Sequence, residues 1–191
     1  FKKAIYFGDD AGFLHCMNVD NGSNLWSYKT GSRIVSTPVI HQGKIVFGST
    51  DGNIYCLDAS SGNLIWKYLT LDVVMGNPIV VADTVFIGGS DGCFRALNLN
   101  TGEVFWEYCE VNGYIETKPV YTEGIVIFGA WDTFLYALDA KSGKLHWKWN
   151  NGSKQIHFSS AAVWPVAAHG KVFITAPDRF LTAIDIKTGK T

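Results

Sequence analysis

"LDAKSGKLHW", residues 138–147, has a near copy in "LDASSGNLIW", residues 57–66, and looser copies on either side. The phrase fixes a period. Trp26, Trp66, Trp106 and Trp147 are spaced 40, 40 and 41 residues apart, and each stands four residues after Gly22, Gly62, Gly102 or Gly143. Pro38, Pro78, Pro119 and Pro165 follow at intervals of 40, 41 and 46, while Asn18, Asp58, Asn98, Asp139 and Asp185 each stand four residues before a turn glycine, Gly189 being the last. Three kinds of residue thus share one period, and periods of 20 to 50 residues mark repeat architectures.

Each period holds short apolar or alternating runs bounded by Gly, Asp and Asn, the pattern of strands joined by tight turns. One unit reads "TPVIH", "KIVFGS", "NIYCLD", "NLIWKY", with turns at "HQG", "STDG" and "DASSG". These predict four strands of about five residues, and a four-stranded repeat of this length is a β-propeller blade. Such a sheet buries its faces only by stacking on neighbours. The fold class is therefore all-β, a propeller of four-stranded antiparallel blades.

Register is legible within a hairpin. Pairing Ala96 with Trp106 sets Arg95 against Glu107 and Phe94 against Tyr108, an ion pair and an aromatic pair. The same register puts Cys16, Cys56 and Ala137 across from Trp26, Trp66 and Trp147. A small residue faces each indole, so the ring can lie against the next blade, and the four tryptophans are expected to be docking residues largely buried between blades. Cys93 falls opposite Cys109, close enough to bond in an oxidising compartment, although hairpin geometry often strains such a link. The balance of those two arguments favours free thiols there, and Cys16 and Cys56 are expected to stay reduced.

Composition narrows the function. With 191 residues, 47% hydrophobic and 17% charged, the chain can bury a substantial core. Sixteen basic and 17 acidic residues are scattered singly, so no basic face exists for nucleic acid. No apolar run approaches the roughly 20 residues of a membrane-spanning helix, and no targeting segment is recognisable in "FKKAIYFGDD". The cysteines lack metal-ligand spacing. His41 and His169 read as solvated turn residues, and Ser159 and Ser160 beside His157 lack the glycine-bracketed elbow of a nucleophile.

"LYALDAKSGKLHW", residues 135–147, resembles the repeat of the PQQ-like (quinoprotein-type) β-propellers, whose blades end in Ala-x-Asp-x-x-x-Gly-x-x-x-Trp. The resemblance runs along the whole chain in five successive copies. It implies dehydrogenases carrying pyrroloquinoline quinone, outer-membrane assembly lipoproteins of the BamB kind, or propellers accessory to kinases and phosphoesterases. The dehydrogenases use a larger propeller, calcium and usually a bond between adjacent cysteines. No adjacent cysteines occur here, and the paired carboxylates Asp9 and Asp10 read as turn residues. We expect no cofactor, no metal and no catalysis by this chain. The expected role is a scaffold or sensor module, with an accessory domain of a larger enzyme or a fragment of a quinone-dependent dehydrogenase as the alternative. The resemblance also implies an extracytoplasmic location in a bacterium.

A partner, protein or small ligand, is expected on the face formed by loops that leave each fourth strand and loops that join second to third strands. The former are "KTGSRIVST", "LTLDVVMGN", "EVNGYIETK" and the long "NNGSKQIHFSSAAVW"; Trp-to-Pro distances of 12, 12, 13 and 18 put the insertion in the last. Arg33, Tyr114, Glu116, Lys118, Trp131, His157, Trp164 and Arg179 are the candidate binding residues, an aromatic and charged mixture suited to recognition. The alternative for Trp131 and Trp164 is that they cover the core.

The strand count predicts about 4.5 blades in one propeller region: a partial blade over 1–29, blades at 30–70, 71–110 and 111–150, and a partial blade over 151–191. The ends lack a first and a fourth strand respectively. On this register Ala183 awaits a tryptophan two residues beyond Thr191, so the expectation is a longer propeller, or self-association of this stretch through its open ends.

Overall fold

The computed structural model describes residues 3–152, 164–175 and 180–191. Among them 18 strands form five antiparallel meanders in chain order. The first sheet has β1 (Ala4–Gly8), β2 (Phe13–Asn18) and β3 (Asn24–Lys29); the second has β4 (Val39–His41), β5 (Lys44–Gly48), β6 (Asn53–Asp58) and β7 (Leu64–Leu69). The third has β8 (Ile79–Val81), β9 (Thr84–Gly88), β10 (Phe94–Asn98) and β11 (Val104–Tyr108). The fourth has β12 (Val120–Thr122), β13 (Ile125–Gly129), β14 (Leu135–Asp139) and β15 (Leu145–Trp149), and the fifth β16 (Val166–Ala168), β17 (Lys171–Thr175) and β18 (Leu181–Asp185). The chain is all-β, a partial propeller of between four and five blades. No helix among the described residues is long and apolar enough to cross a membrane.

First strands are three residues long, not five. In each the strand starts just after a proline, which has no N–H to give a ladder. The hairpin register is as expected: Ala96 pairs with Trp106, Arg95 with Glu107 and Phe94 with Tyr108, and Cys16, Cys56 and Ala137 face the other three indoles. One feature escaped the pattern. Beyond each small residue the register shifts, so that Leu97, for example, pairs with Val104 and Phe105 is left over. This bulge recurs in four hairpins and sharpens their twist where the indole leaves the sheet.

Among the described residues the core is divided into four apolar slabs, one between each pair of adjacent sheets. Between the second and third sheets, Val46, Ile54, Cys56 and Trp66 meet Val85, Ile87, Leu97 and Leu99. The repeated phrase locks each slab. Trp26, Trp66, Trp106 and Trp147 donate Nε1–H to the carbonyls of Ala59, Leu99, Ala140 and Ile186 in the next sheet, at 3.3, 2.8, 3.1 and 2.7 Å. Each ring lies on the next turn glycine: a Cβ at Gly62, Gly102, Gly143 or Gly189 would come within 2.7 Å of it. The same glycines have φ near +70°, which an L side chain adopts with strain. The aspartate holds that turn, Asp58 accepting from the backbone N–H of Ser60 and Ser61. Trp66 and Trp147 are buried, whereas Trp26 and Trp106 are only half-buried, less enclosed than the sequence suggests.

Cys93 and Cys109 are joined in a disulfide, correcting the expectation of free thiols. Their position at the end of the β10–β11 ladder brings the Cα atoms to 4.1 Å, so the bond forms across directly opposed residues. Cys16 and Cys56 are free and buried. Burial pushes the Cys56 thiol up to about 12.

Candidate functional site

Loops leaving fourth strands and loops joining second to third strands emerge at one end of the blades. A repeated scaffold ties them together. Thr50, Ser90 and Trp131 donate backbone N–H to the carbonyls of Arg33, Val73 and Tyr114 at 2.9, 3.0 and 3.0 Å. Beside each tie a carboxylate, Asp51, Asp91 or Asp132, accepts from the backbone N–H of Gly31, Leu71 or Asn112. The carboxylates are held from within their own blades by Tyr55, Arg95 and Tyr136, four residues on. Burial would raise the Asp51 carboxyl, but donors from Tyr55, Asn53 and Gly31 outweigh it and hold it below the usual range. Burial and the bond to Asp51 together push the Tyr55 hydroxyl upward.

On this common backbone the side chains diverge. The three positions around each tie carry Arg33, Val35 and Thr50 in the second blade, and Val73, Met75 and Ser90 in the third. In the fourth they carry Tyr114, Glu116 and Trp131. There Trp131 Nε1–H donates to Glu116 Oε2 at 2.8 Å, and Asn112, Gly113, Tyr114, Glu116 and Trp131 line a mainly apolar cleft of about 470 Å³. A second, more polar cleft of about 350 Å³ lies on the other side of the same loop, lined by Ser90, Asp91, Gly92, Val111, Asn112, Gly113 and Tyr114. Ser90 is 7% exposed and its hydroxyl has no hydrogen-bond partner among the described residues.

Of the residues anticipated on this face, Tyr114, Glu116 and Trp131 therefore come together. Lys118 lies beside them in sequence but directs its ammonium over the Trp164 ring, 5.9 Å from the centroid. Trp164 is 58% exposed and so does not cover the core. Arg33 belongs to the second blade's loop, where it meets Asp10 at 3.5 Å, both exposed, and it does not line the cleft. His157 and Arg179 lie outside the described residues, as does most of the inserted loop. His169 occupies the position of Gln42, not of His41, with φ +50°. Asn112, Gly113 and Ser90 were not anticipated. The signal was present, since Asp51, Asp91 and Asp132 are spaced 40 and 41 residues apart and mark the loop positions as surely as the tryptophans mark the turns.

A charge network centred on the buried Arg95 and Asp91 side chains, with Glu107 at its exposed edge, stands behind the polar cleft. Arg95, 4% exposed, reaches Asp91 at 2.5 Å and Glu107 at 2.7 Å, and Tyr68 of the preceding blade donates to Glu107 at 2.8 Å. Burial alone would raise Asp91, but the Arg95 guanidinium holds it low. No three His, Cys, Asp or Glu side chains among the described residues converge as metal ligands would.

The fold is that of several solved propellers. BamB from Moraxella catarrhalis aligns at TM-score 0.81 and 23% identity over 98% of this chain and 56% of its own. The quinohemoprotein alcohol dehydrogenase from Comamonas testosteroni aligns at 0.82 and 16% over 98% and 40%, and the computationally designed Ika8 protein at 0.81 and 20% over 95% and 55%. The chain thus spans a little over half, or less, of these proteins, and identities this low speak for the fold alone. No curated protein matches it in sequence. The family described as outer membrane protein assembly factor BamB matches residues 2–114 and 110–191, nearly the whole length, and the chain belongs to that family.

Proposed function

We propose that this propeller is a non-catalytic scaffold that holds a polypeptide partner on its loop face. The observation that carries the reading is the pair of clefts on either side of residues 112–114. They flank one loop on a backbone that repeats from blade to blade, and among the described residues of the second, third and fourth blades the side chains make an aromatic, acidic cleft at the fourth. Two adjoining open clefts suit an extended ligand better than a compact cofactor, and binding sites belong on loops that a rigid scaffold positions. Kinship with an assembly factor supports the same reading. An extracytoplasmic location is part of the proposal, and the Cys93–Cys109 disulfide supports it because such bonds persist in oxidising compartments.

The test is site-specific photo-crosslinking in the cell that makes the protein. A photoreactive residue at Tyr114 is expected to capture one identifiable polypeptide. The same residue at Lys141, in the exposed turn between β14 and β15 at the other end of the blade, is expected not to. Equal adducts from both positions, or none from Tyr114, would overturn the reading.

A further inference from the structure

We infer that the cleft of Tyr114, Glu116 and Trp131 takes an arginine side chain of the partner polypeptide; this rests on the scaffold reading above and adds the chemistry of recognition. Glu116 is half-buried and lines a mainly apolar cleft, yet its carboxylate has no ion pair among the described residues. The nearest cation in sequence, Lys118, is directed to Trp164 instead. One carboxylate oxygen, Oε2, accepts from Trp131 Nε1, which fixes the group's orientation and leaves Oε1 without a partner among the described residues. A partly desolvated carboxylate is stabilised by a cation, and a half-enclosed one gains more from it than a surface pair does.

The walls select the kind of cation. Tyr114, which is exposed, and Trp131, whose Nε1–H reaches the carboxylate, both line the cleft that holds Glu116, so two aromatic side chains share it with the acid. Aromatic faces attract cations, and a planar guanidinium can stack on a ring while donating to a carboxylate in its own plane. A metal ion would want several oxygen ligands, and the cleft supplies one carboxylate. An anion would meet Glu116. With the same backbone ties, the positions of Glu116 and Trp131 are Val35 and Thr50 in the second blade and Met75 and Ser90 in the third, neither of which offers an acid or an indole.

The test is fluorine NMR on the intact protein labelled with 5-fluorotryptophan, the Trp131 resonance being assigned by its loss in Trp131→Phe. Two blocked tripeptides are titrated, Gly-Arg-Gly and Gly-citrulline-Gly, which differ in charge but hardly in shape. The arginine peptide is expected to shift the Trp131 resonance saturably and the citrulline peptide to bind about tenfold more weakly, as the loss of one charge-assisted hydrogen bond implies. Glu116→Gln keeps an acceptor for Trp131 and should remove the difference between the peptides, while the other tryptophan resonances, unchanged, report an intact fold. Equal shifts from both peptides, no saturable shift, or unaltered discrimination in Glu116→Gln would overturn the inference. If the Tyr114 crosslink still forms in that case, the scaffold reading stands and only the arginine is wrong.

Discussion

Trp66 has the most to lose from truncation. It is buried, its indole lies on Gly102, and its Nε1–H shares the Leu99 carbonyl with the Cys56 thiol. Trp66→Ala should cost about 3–5 kcal/mol in denaturant unfolding, as large-to-small core changes do. The half-buried Trp106 should cost less. A loss at Trp66 below about 1 kcal/mol would show that the slabs hold without their indoles. The glycine beneath is as constrained as the ring above. Gly102→Ala meets both a left-handed φ and the Trp66 ring, whereas Gly43→Ala meets a left-handed φ of +75° and open space. Gly43→Ala should therefore cost about 1–2 kcal/mol and Gly102→Ala clearly more; equal losses would mean that the ring moves aside freely.

Among the elements, the repeated turn is the acid-sensitive one. Hydrogen bonds from Ser60 and Ser61 hold the Asp58 carboxyl down at about 2, below the roughly 3.9 of a free aspartate. A depressed folded pKa gives stability that is present above the free value and is lost as pH falls through the folded one. Unfolding midpoints should thus fall between about pH 4 and pH 2. Asp58→Asn should fold normally at neutral pH, since Asn98 caps the equivalent turn, and should show a weaker acid dependence. The β10–β11 hairpin carries a second device. Its disulfide closes a loop across a sequence separation of 16, worth about 3 kcal/mol in the chain-entropy account. Reductant should lower stability by that order, and a Cys93→Ala, Cys109→Ala double variant should be indifferent to it. Next to it, Arg95→Ala would strand Asp91, 3% exposed, beside Glu107, and a buried charge without its partner costs about 3–5 kcal/mol.

Across the five sheets, each slab depends on a neighbour. Ile45 and Phe47 of β5 are fully buried beneath the first sheet, while their counterparts in β1, Ile5 and Phe7, are 50% and 40% exposed. At the other side Val166 and Leu181 are exposed where Val39 and Ile54 pack on the next sheet. The 191 residues on their own should therefore associate as concentration rises, detected by light scattering, and Ile5→Lys with Phe7→Lys should suppress it. A wholly monomeric chain at all concentrations would contradict this.

The repeat, the strands, the hairpin register and the small residue facing each indole were all readable in the sequence. They depend on neighbours within one unit of about 40 residues, and the period exposes them. The bulge was not readable, because skipping Phe105 or Ile65 leaves the apolar pattern unchanged. What each tryptophan rests on lay one blade away, at a glycine 36 residues or more along the chain, and no local pattern connects the two. The disulfide was half legible: the register opposed Cys93 and Cys109, but whether the backbones approach closely enough is a matter of three-dimensional geometry. The cleft was the least legible. Tyr114, Glu116 and Trp131 were singled out beside Arg33 and Lys118 with nothing to separate them. Only stacking of the blades brings a loop leaving one sheet against a loop within the next, and that contact sets Glu116 beside the Trp131 indole, while Lys118 meets Trp164 of the loop that leaves the fourth sheet.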